Sequence, residues 1–198
     1  DITGDKTTAA LQSLADLTNV DKVAPKIADT ANTAWNWEQF EGGNIGMLID
    51  GPWTAPNVVN SFDFNVGYSI IPKVENQVTT INGSALAVTS ESKHPKEAYQ
   101  ALEVLTSPEA QKLLAENGRA LPSRDSVRDY YYESTSEQEG LEDAIKKSIE
   151  IGMPYYVTKK YSEVSTVFNS GMDTVWAGEV SAEDAAKDMQ AQVDMILQ

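Results

Sequence analysis

The chain has 198 residues, 41% of them hydrophobic, so it is long enough for one or two domains with a sizeable buried core. Its formal net charge of −15, with only 15 Lys and Arg residues, argues against nucleic acid and against an anionic membrane surface as partners, because both require clustered positive charge. No apolar run approaches the ~18 residues of a membrane-spanning helix, and the lack of cysteine excludes disulfides, thiolate metal sites and cysteine nucleophiles.

The first half of the chain alternates predicted helices with predicted short strands. Apolar residues recur at helical spacing from Thr7 to Leu17, which predicts an amphipathic helix, and Trp35 to Phe40 is predicted to form a short helix. Three segments are predicted as strands: 45–49, 66–71 and 85–89. Two of them hold at least three apolar residues in a row, which is typical of strands buried on both faces of a parallel sheet.

The second half carries sharper helix signals. Pro95 is predicted to start one helix, and Ser107 with Pro108 forms an N-cap followed by proline at the first position of the next. Gly118 is predicted to end that second helix, and Ser181 is predicted to cap the last helix of the chain. In the run of three tyrosines at 130–132, one or two side chains are predicted to pack in the core, because adjacent helical residues point in different directions.

The stretch from Phe40 to Trp53, F-E-G-G-N-I-G-M-L-I-D-G-P-W, combines a short apolar strand with a turn that presents a tryptophan. Gly51 tolerates positive φ and Pro52 fixes φ directly before Trp53, which predicts an indole held at the end of a strand. Ligand crevices of α/β sheets lie at strand ends, and a rigid aromatic face there suits the apolar C–H face of a sugar. The local pattern equally allows Trp53 to be a core or lid residue.

The F-x-x-G-x-x-x-M-x-I-x-G-P-W pattern of this stretch resembles the C-terminal half of the carbohydrate-binding proteins of ABC importers, of the maltose/maltodextrin type. Three further segments resemble the same family in the same order. They are residues 83–105 with S-K-H-P-K-E-A, the T-S-P-E-A-Q run followed by residues 117–124, and W-A-G-E-V-S-A-E-D-A at 176–185. The order and spacing of these motifs extend the resemblance from about residue 7 to the end of the chain.

The resemblance implies an α/β fold of the periplasmic-binding-protein-like type II class, in which two lobes are joined by hinge strands. Members are about twice as long as this chain, which starts at Asp1 without an initiator Met or signal-peptide pattern, so we expect a processed chain or part of a longer protein. The implied domains are 1–83 and 129–198 in the C-terminal lobe and 84–128 completing the N-terminal lobe. The missing N-terminal half is then a partner of this chain.

The function implied by the resemblance is the binding of a maltose/maltodextrin-like oligosaccharide for an ABC transporter. The implied partners are the oligosaccharide and the importer's membrane permease. The implied location is extracytoplasmic, as a cell-surface lipoprotein or in the periplasm. Closure of the lobes on the ligand by a hinge is a property of periplasmic binding proteins in general, and no cofactor is implied.

Aromatic side chains are the predicted sugar contacts. Trp53 is the first of them, and the segment from 153 to 163, M-P-Y-Y-V-T-K-K-Y-S-E, resembles the family's chain entry into a helix beside the ligand. The tryptophans before the opening motif are expected to pack on it or to contact ligand, whereas Trp176 is predicted to be a core anchor at a helix end. The further candidates are Tyr155, Tyr156, Tyr161, Trp35 and Trp37.

Enzyme readings find less support in the sequence. The single histidine, His94, precedes Pro95 at a predicted helix start, which is a poor position for a member of a catalytic triad. A zinc centre is disfavoured because such sites usually take several histidines, so no catalytic and no metal-binding residues are predicted. Two alternatives stay open: a glycoside hydrolase, because the chain carries 30 acidic residues, and an isolated lobe without ligand-binding activity.

Overall fold

The computed structural model of the chain describes residues 1–26, 35–73, 75–155 and 157–198, without the side chains of residues 35 and 59–61. It divides the chain into two compact units. The first comprises Asp1–Ile45 with Tyr156–Gln198, and the second is Gly46–Tyr155. Among the described residues no helix has both the length and the apolarity that crossing a bilayer requires.

Helices make up most of the described structure. The α-helices are α1 Asp5–Asn19, α2 Trp35–Glu41, α3 Ala55–Ser61, α4 Pro95–Leu105, α5 Pro108–Glu116, α6 Arg128–Ser134, α7 Leu141–Ile151, α8 Tyr161–Trp176 and α9 Ala182–Leu197. Short 3-10 helices lie at Pro52–Thr54 and Asp125–Val127, and strands β1 Thr79–Ile81 and β2 Gly152–Pro154 pair in parallel, with Thr79 opposite Gly152 and Ile81 opposite Pro154.

The core of the first unit lies where α1, α8 and α9 pack together. Gly171 in α8 allows a close approach of α9, because a Cβ at this position would overlap the side chain of Met189, which is 1% exposed. The ends of the helices are tied by side chains of α1. Gln12 accepts a hydrogen bond from the backbone N–H of Ala182 at 2.9 Å, and Asn19 donates to the carbonyl of Val175 at 3.3 Å. The buried side chains of this core are Ala15, Met172, Val175, Ala182, Ala185 and Met189.

The core of the second unit forms around α6. Helix α5 packs on α6, and the hydroxyl of Ser134 donates to the carbonyl of Ala115 at 2.7 Å. The segment before β1 joins this core through Tyr68, whose backbone N–H donates to the carbonyl of Glu139 at 2.8 Å. The buried side chains are Ala55, Ala115, Tyr131, Tyr132, Leu141 and Ile145.

The helix predictions from local signals are confirmed. The hydroxyl of Ser107 accepts from the backbone N–H of Ala110 at 3.2 Å. The hydroxyl of Ser181 likewise accepts from the backbone N–H of Asp184 at 3.1 Å, so both serines are N-caps. Gly118 follows α5 with a φ of +61°. Two of the three tyrosines at 130–132 are buried, and Trp176 packs against the core at the end of α8, as predicted.

The strand predictions for 45–49, 66–71 and 85–89 are wrong for the described chain. None of the three segments is in a strand, and the described ladder joins only β1 and β2. Apolar runs are typical of strands buried on both faces, yet Met47 is 90% and Ile49 is 80% exposed. A strand exists only where a second backbone lies beside it, and an apolar run supplies no such partner by itself.

The predicted lobe boundaries stay a prediction. The two compact units change over at residues 45/46 and 155/156, whereas the predicted lobes change at 83/84 and 128/129. Helix α6 begins with Arg128, at the second predicted boundary, and in one unit it packs against α5, which precedes that boundary.

Candidate functional site

The turn that carries Trp53 is closed by its own hydrogen bonds. The backbone N–H of Gly51 donates to Oδ1 of Asp50 at 2.7 Å. The carbonyl of Gly51 accepts two hydrogen bonds from Thr54, three residues later: one from the backbone N–H at 3.2 Å and one from the hydroxyl at 2.9 Å. Pro52, with its fixed φ, occupies the first position of the 3-10 helix. The turn is therefore a defined structure that leads directly into α3.

Gly51 serves this turn differently from the sequence prediction. Its φ is −111°, so the positive φ that glycine tolerates is not used here. The indole of Trp53 instead lies so close over Gly51 that a Cβ there would overlap the six-membered ring. Glycine leaves room for the ring in this position.

Trp53 is displayed rather than buried. It is 62% exposed, which excludes the alternative that it is a core residue of this unit. An indole held against Gly51 with most of its surface free is a flat apolar platform. Such a platform matches what aromatic recognition of a sugar face requires.

The platform is attached to the core of its unit through Tyr131. The phenol hydroxyl donates to the carbonyl of Pro52 at 3.1 Å, across 79 residues of sequence. Tyr131 is 0% exposed, and burial, with smaller contributions from Tyr68 and Tyr132, raises its pKa to about 12. The hydroxyl is a neutral donor at physiological pH, as a phenol is at its ordinary pKa of about 10. Ala55, directly after the 3-10 helix, is buried in the same cluster.

Tyr131 is the residue that sequence reasoning missed. The prediction that tyrosines of the 130–132 run pack in the core is correct for the ring of Tyr131, but it leaves out the hydroxyl of that residue. A buried tyrosine usually finds a hydrogen-bond partner, and that rule was the available signal. The sequence does not contain the identity of the partner, because Pro52 lies so far along the chain.

The other predicted sugar contacts are divided between the two units. Tyr155 follows β2 in the unit of Trp53 and is 51% exposed. Trp37 in α2 and Tyr161 at the start of α8 are half-buried and belong to the first unit. Tyr156 lies outside the described residues, as does the side chain of Trp35, whose backbone begins α2. Their roles in binding stay predictions.

The described residues were also searched for a metal site and for a pocket that contains the predicted sugar contacts. Across the described ranges, no group of three or more His, Cys, Asp or Glu side chains is arranged to hold a metal ion. A depression of about 450 Å³ in the first unit contains none of the predicted sugar contacts. It is lined by Asp5, Thr8, Ala9, Gln12, Ser181 and Glu183.

Comparison with known proteins identifies the family. The profile of the bacterial extracellular solute-binding proteins matches residues 1–139, well over half of the chain and including the whole Trp53 turn. The chain belongs to this family. The predicted resemblance is thereby confirmed at family level.

Three of the matching proteins are named for a carbohydrate or were solved with one. A maltooligosaccharide ABC transporter solute-binding lipoprotein of Streptococcus pneumoniae is 24% identical over 156 residues, covering 76% of this chain and 35% of the relative. An ABC substrate-binding protein from Listeria monocytogenes, solved in complex with cycloalternan, has a TM-score of 0.87 at 20% identity, covering 99% of this chain and 50% of that one. The maltose-bound T. maritima MalE3 has a TM-score of 0.84 at 23% identity, with coverages of 99% and 51%.

These structural matches confirm the fold class. The chain has part of the type II periplasmic-binding-protein-like fold, and it spans about a third of the curated relative and about half of the solved chains.

Proposed function

We propose that this chain is part of the sugar-binding component of an ABC importer and that its ligand is a maltose/maltodextrin-like oligosaccharide. The observation that carries the proposal is the exposed indole of Trp53, fixed over Gly51 on a turn that is hydrogen-bonded to the core of its unit. Membership of the solute-binding family and relatives named for maltooligosaccharide and maltose support the same ligand class.

Sugar binding at Trp53 combines two physical contributions. The indole buries the apolar C–H face of one sugar ring, a contact worth roughly 1–3 kcal/mol by analogy with burial of other large apolar side chains. Polar groups around the ring rim then fix its orientation. Tyr155, Tyr156, Tyr161, Trp35 and Trp37 are the proposed additional aromatic contacts.

A second part of the proposal concerns the partner half. Residues 84–128 complete an N-terminal lobe whose remainder comes from sequence outside this chain, because α4 and α5 leave large apolar side chains open to solvent. An exposed apolar surface of this kind marks an interaction site, and a missing half-protein is the partner that the coverage of the relatives suggests. The exposed side chains are Tyr99, Val104, Leu105, Leu113 and Leu114.

The proposed protein binds its sugar without chemical change and passes it to a membrane permease. The location is extracytoplasmic, which agrees with the extracellular solute-binding family, and a lipoprotein anchor agrees with the named relative. Hinge closure of two lobes on the ligand holds the sugar until it is handed over.

Calorimetry of the full-length protein against a panel of maltodextrins and unrelated oligosaccharides tests this function. We expect saturable binding of the maltodextrins, and chromatography of the same samples should return the sugars intact. Steady release of shorter sugars would replace the binder with a glycoside hydrolase. Absence of binding to the entire panel would contradict the proposed function.

A further inference from the structure

We infer that Tyr131 is a positioning residue for the sugar platform: its buried hydroxyl fixes the backbone from which the Trp53 indole is displayed. The inference rests on the proposed function of Trp53, but it assigns a role to a residue that never reaches the sugar. Tyr131 acts through the Pro52 carbonyl, at an O–O distance of 3.1 Å.

The first step of the argument is the geometry of one peptide unit. The carbonyl of Pro52 and the N–H of Trp53 belong to the same rigid plane, because the peptide bond between them has partial double-bond character. That carbonyl accepts from the N–H of Ala55 within the turn and from the hydroxyl of Tyr131 on α6. Two donors, one from the turn and one from α6, hold this plane, and with it the position of the Trp53 Cα.

The second step is the ring itself. Once the Cα is fixed, the indole orientation depends on its side-chain torsions, and the ring lies directly against Gly51. Gly51 is in turn held by the hydrogen bonds from its own N–H to Asp50 and from Thr54 to its carbonyl. Backbone and ring are therefore both located before any sugar arrives, and an immobilised platform loses less entropy on binding.

The third step is the permanence of the donor. Tyr131 is fully buried on α6, between residues of the same core cluster as Ala55 and Ala115. A phenol is neutral throughout the physiological pH range even at its ordinary pKa of about 10, so the hydroxyl can always donate, and burial raises the pKa of Tyr131 further. Loss of the hydroxyl would leave the Pro52 carbonyl with the turn's internal N–H alone.

The test has two arms in the full-length protein, both built on Tyr131→Phe, with Tyr132→Phe as the matched control. Tyr132 lies on the same helix and in the same cluster, so its variant removes a tyrosine hydroxyl at this core without removing the hydrogen bond to Pro52. The first arm uses 5-fluorotryptophan labelling and 19F NMR without sugar. We expect Tyr131→Phe to shift or broaden the Trp53 resonance while leaving that of Trp176, in the other unit, unchanged. The control variant should leave both unchanged.

The second arm measures maltodextrin affinity in a double-mutant cycle with Trp53→Ala. Loss of one hydrogen bond to the platform should weaken binding about threefold to tenfold in the wild-type background, and should have no effect once Trp53 is alanine. An equal loss in both backgrounds, or an unchanged Trp53 resonance, would overturn the inference. If the resonance responds but Trp53→Ala leaves affinity unchanged, the proposed sugar role of Trp53 fails while the link from Tyr131 to the indole stands.

Discussion

Two glycines of this chain each lie against a large side chain, which is buried in one case and exposed in the other. Gly171 in α8 and Gly51 before the 3-10 helix each make room for a large side chain that a Cβ would overlap. The side chain over Gly171 is Met189, which is 1% exposed, whereas the one over Gly51 is Trp53, which is 62% exposed. Close approach serves packing at one place and display at the other. Burial of the neighbour, not the glycine, distinguishes a structural contact from a candidate binding contact.

Met189→Ala should give the largest effect on stability. Removing a buried methionine side chain deletes its contacts with Gly171 and leaves a cavity between α8 and α9, which costs about 2–5 kcal/mol of the free energy of unfolding. Urea unfolding measures this cost. Sugar affinity of the folded protein should be unchanged. If the variant instead lost affinity at unchanged stability, Met189 would be a binding residue and the claim that its contact with Gly171 is structural would be wrong.

Trp53→Ala should show the opposite behaviour. Loss of an exposed platform should weaken maltodextrin binding about tenfold to a hundredfold, with little change in the melting temperature of the unliganded protein. Calorimetry and thermal unfolding of the same samples measure the two quantities. Trp53→Phe should retain much of the affinity, because a smaller aromatic face is still present. A marked drop in melting temperature would mean that the indole is a packing residue after all.

Gly51→Ala should have a smaller effect on affinity than loss of the indole. The added Cβ overlaps the ring and forces Trp53 into a less favourable torsion, at a cost of about 0.5–1.5 kcal/mol, or about threefold to tenfold in affinity. Gly51 has a φ that alanine also adopts, so backbone strain does not contribute. In the Trp53→Ala background the same change should be silent, and an effect that persists there would show that Gly51 acts through the backbone.

The predicted effect that is smallest at physiological pH is a pH dependence of stability from Tyr131, which appears only in alkaline solution. Its pKa is raised from 10.0 to about 12 in the folded chain, so the folded state retains a proton that the unfolded state has lost. The unfolding free energy therefore falls as pH rises between 10 and 12, and is unaffected by this group below that window. Tyr131→Phe should show a shallower fall in urea unfolding over this range, and identical profiles for both proteins would contradict the assignment.

The sequence predicted features that depend on neighbours in the chain. Ser107 and Ser181 are visible as N-caps because the groups they satisfy lie three residues away. Segments such as 45–49 were mispredicted because a strand depends on a backbone distant in sequence. The sequence predicted that a turn at Gly51 and Pro52 presents Trp53. It did not predict that the indole packs over Gly51 or that Tyr131 donates a hydrogen bond to Pro52, since both depend on which side chains meet in space.

The most direct test of the account is the 19F resonance of Trp53 during titration of the labelled full-length protein with a maltodextrin. The account predicts that this resonance shifts and saturates at the sugar concentrations where calorimetry reports binding, while the resonance of Trp176 stays in place. A Trp53 resonance that does not move at saturating sugar would contradict the claim that this exposed indole is the sugar platform.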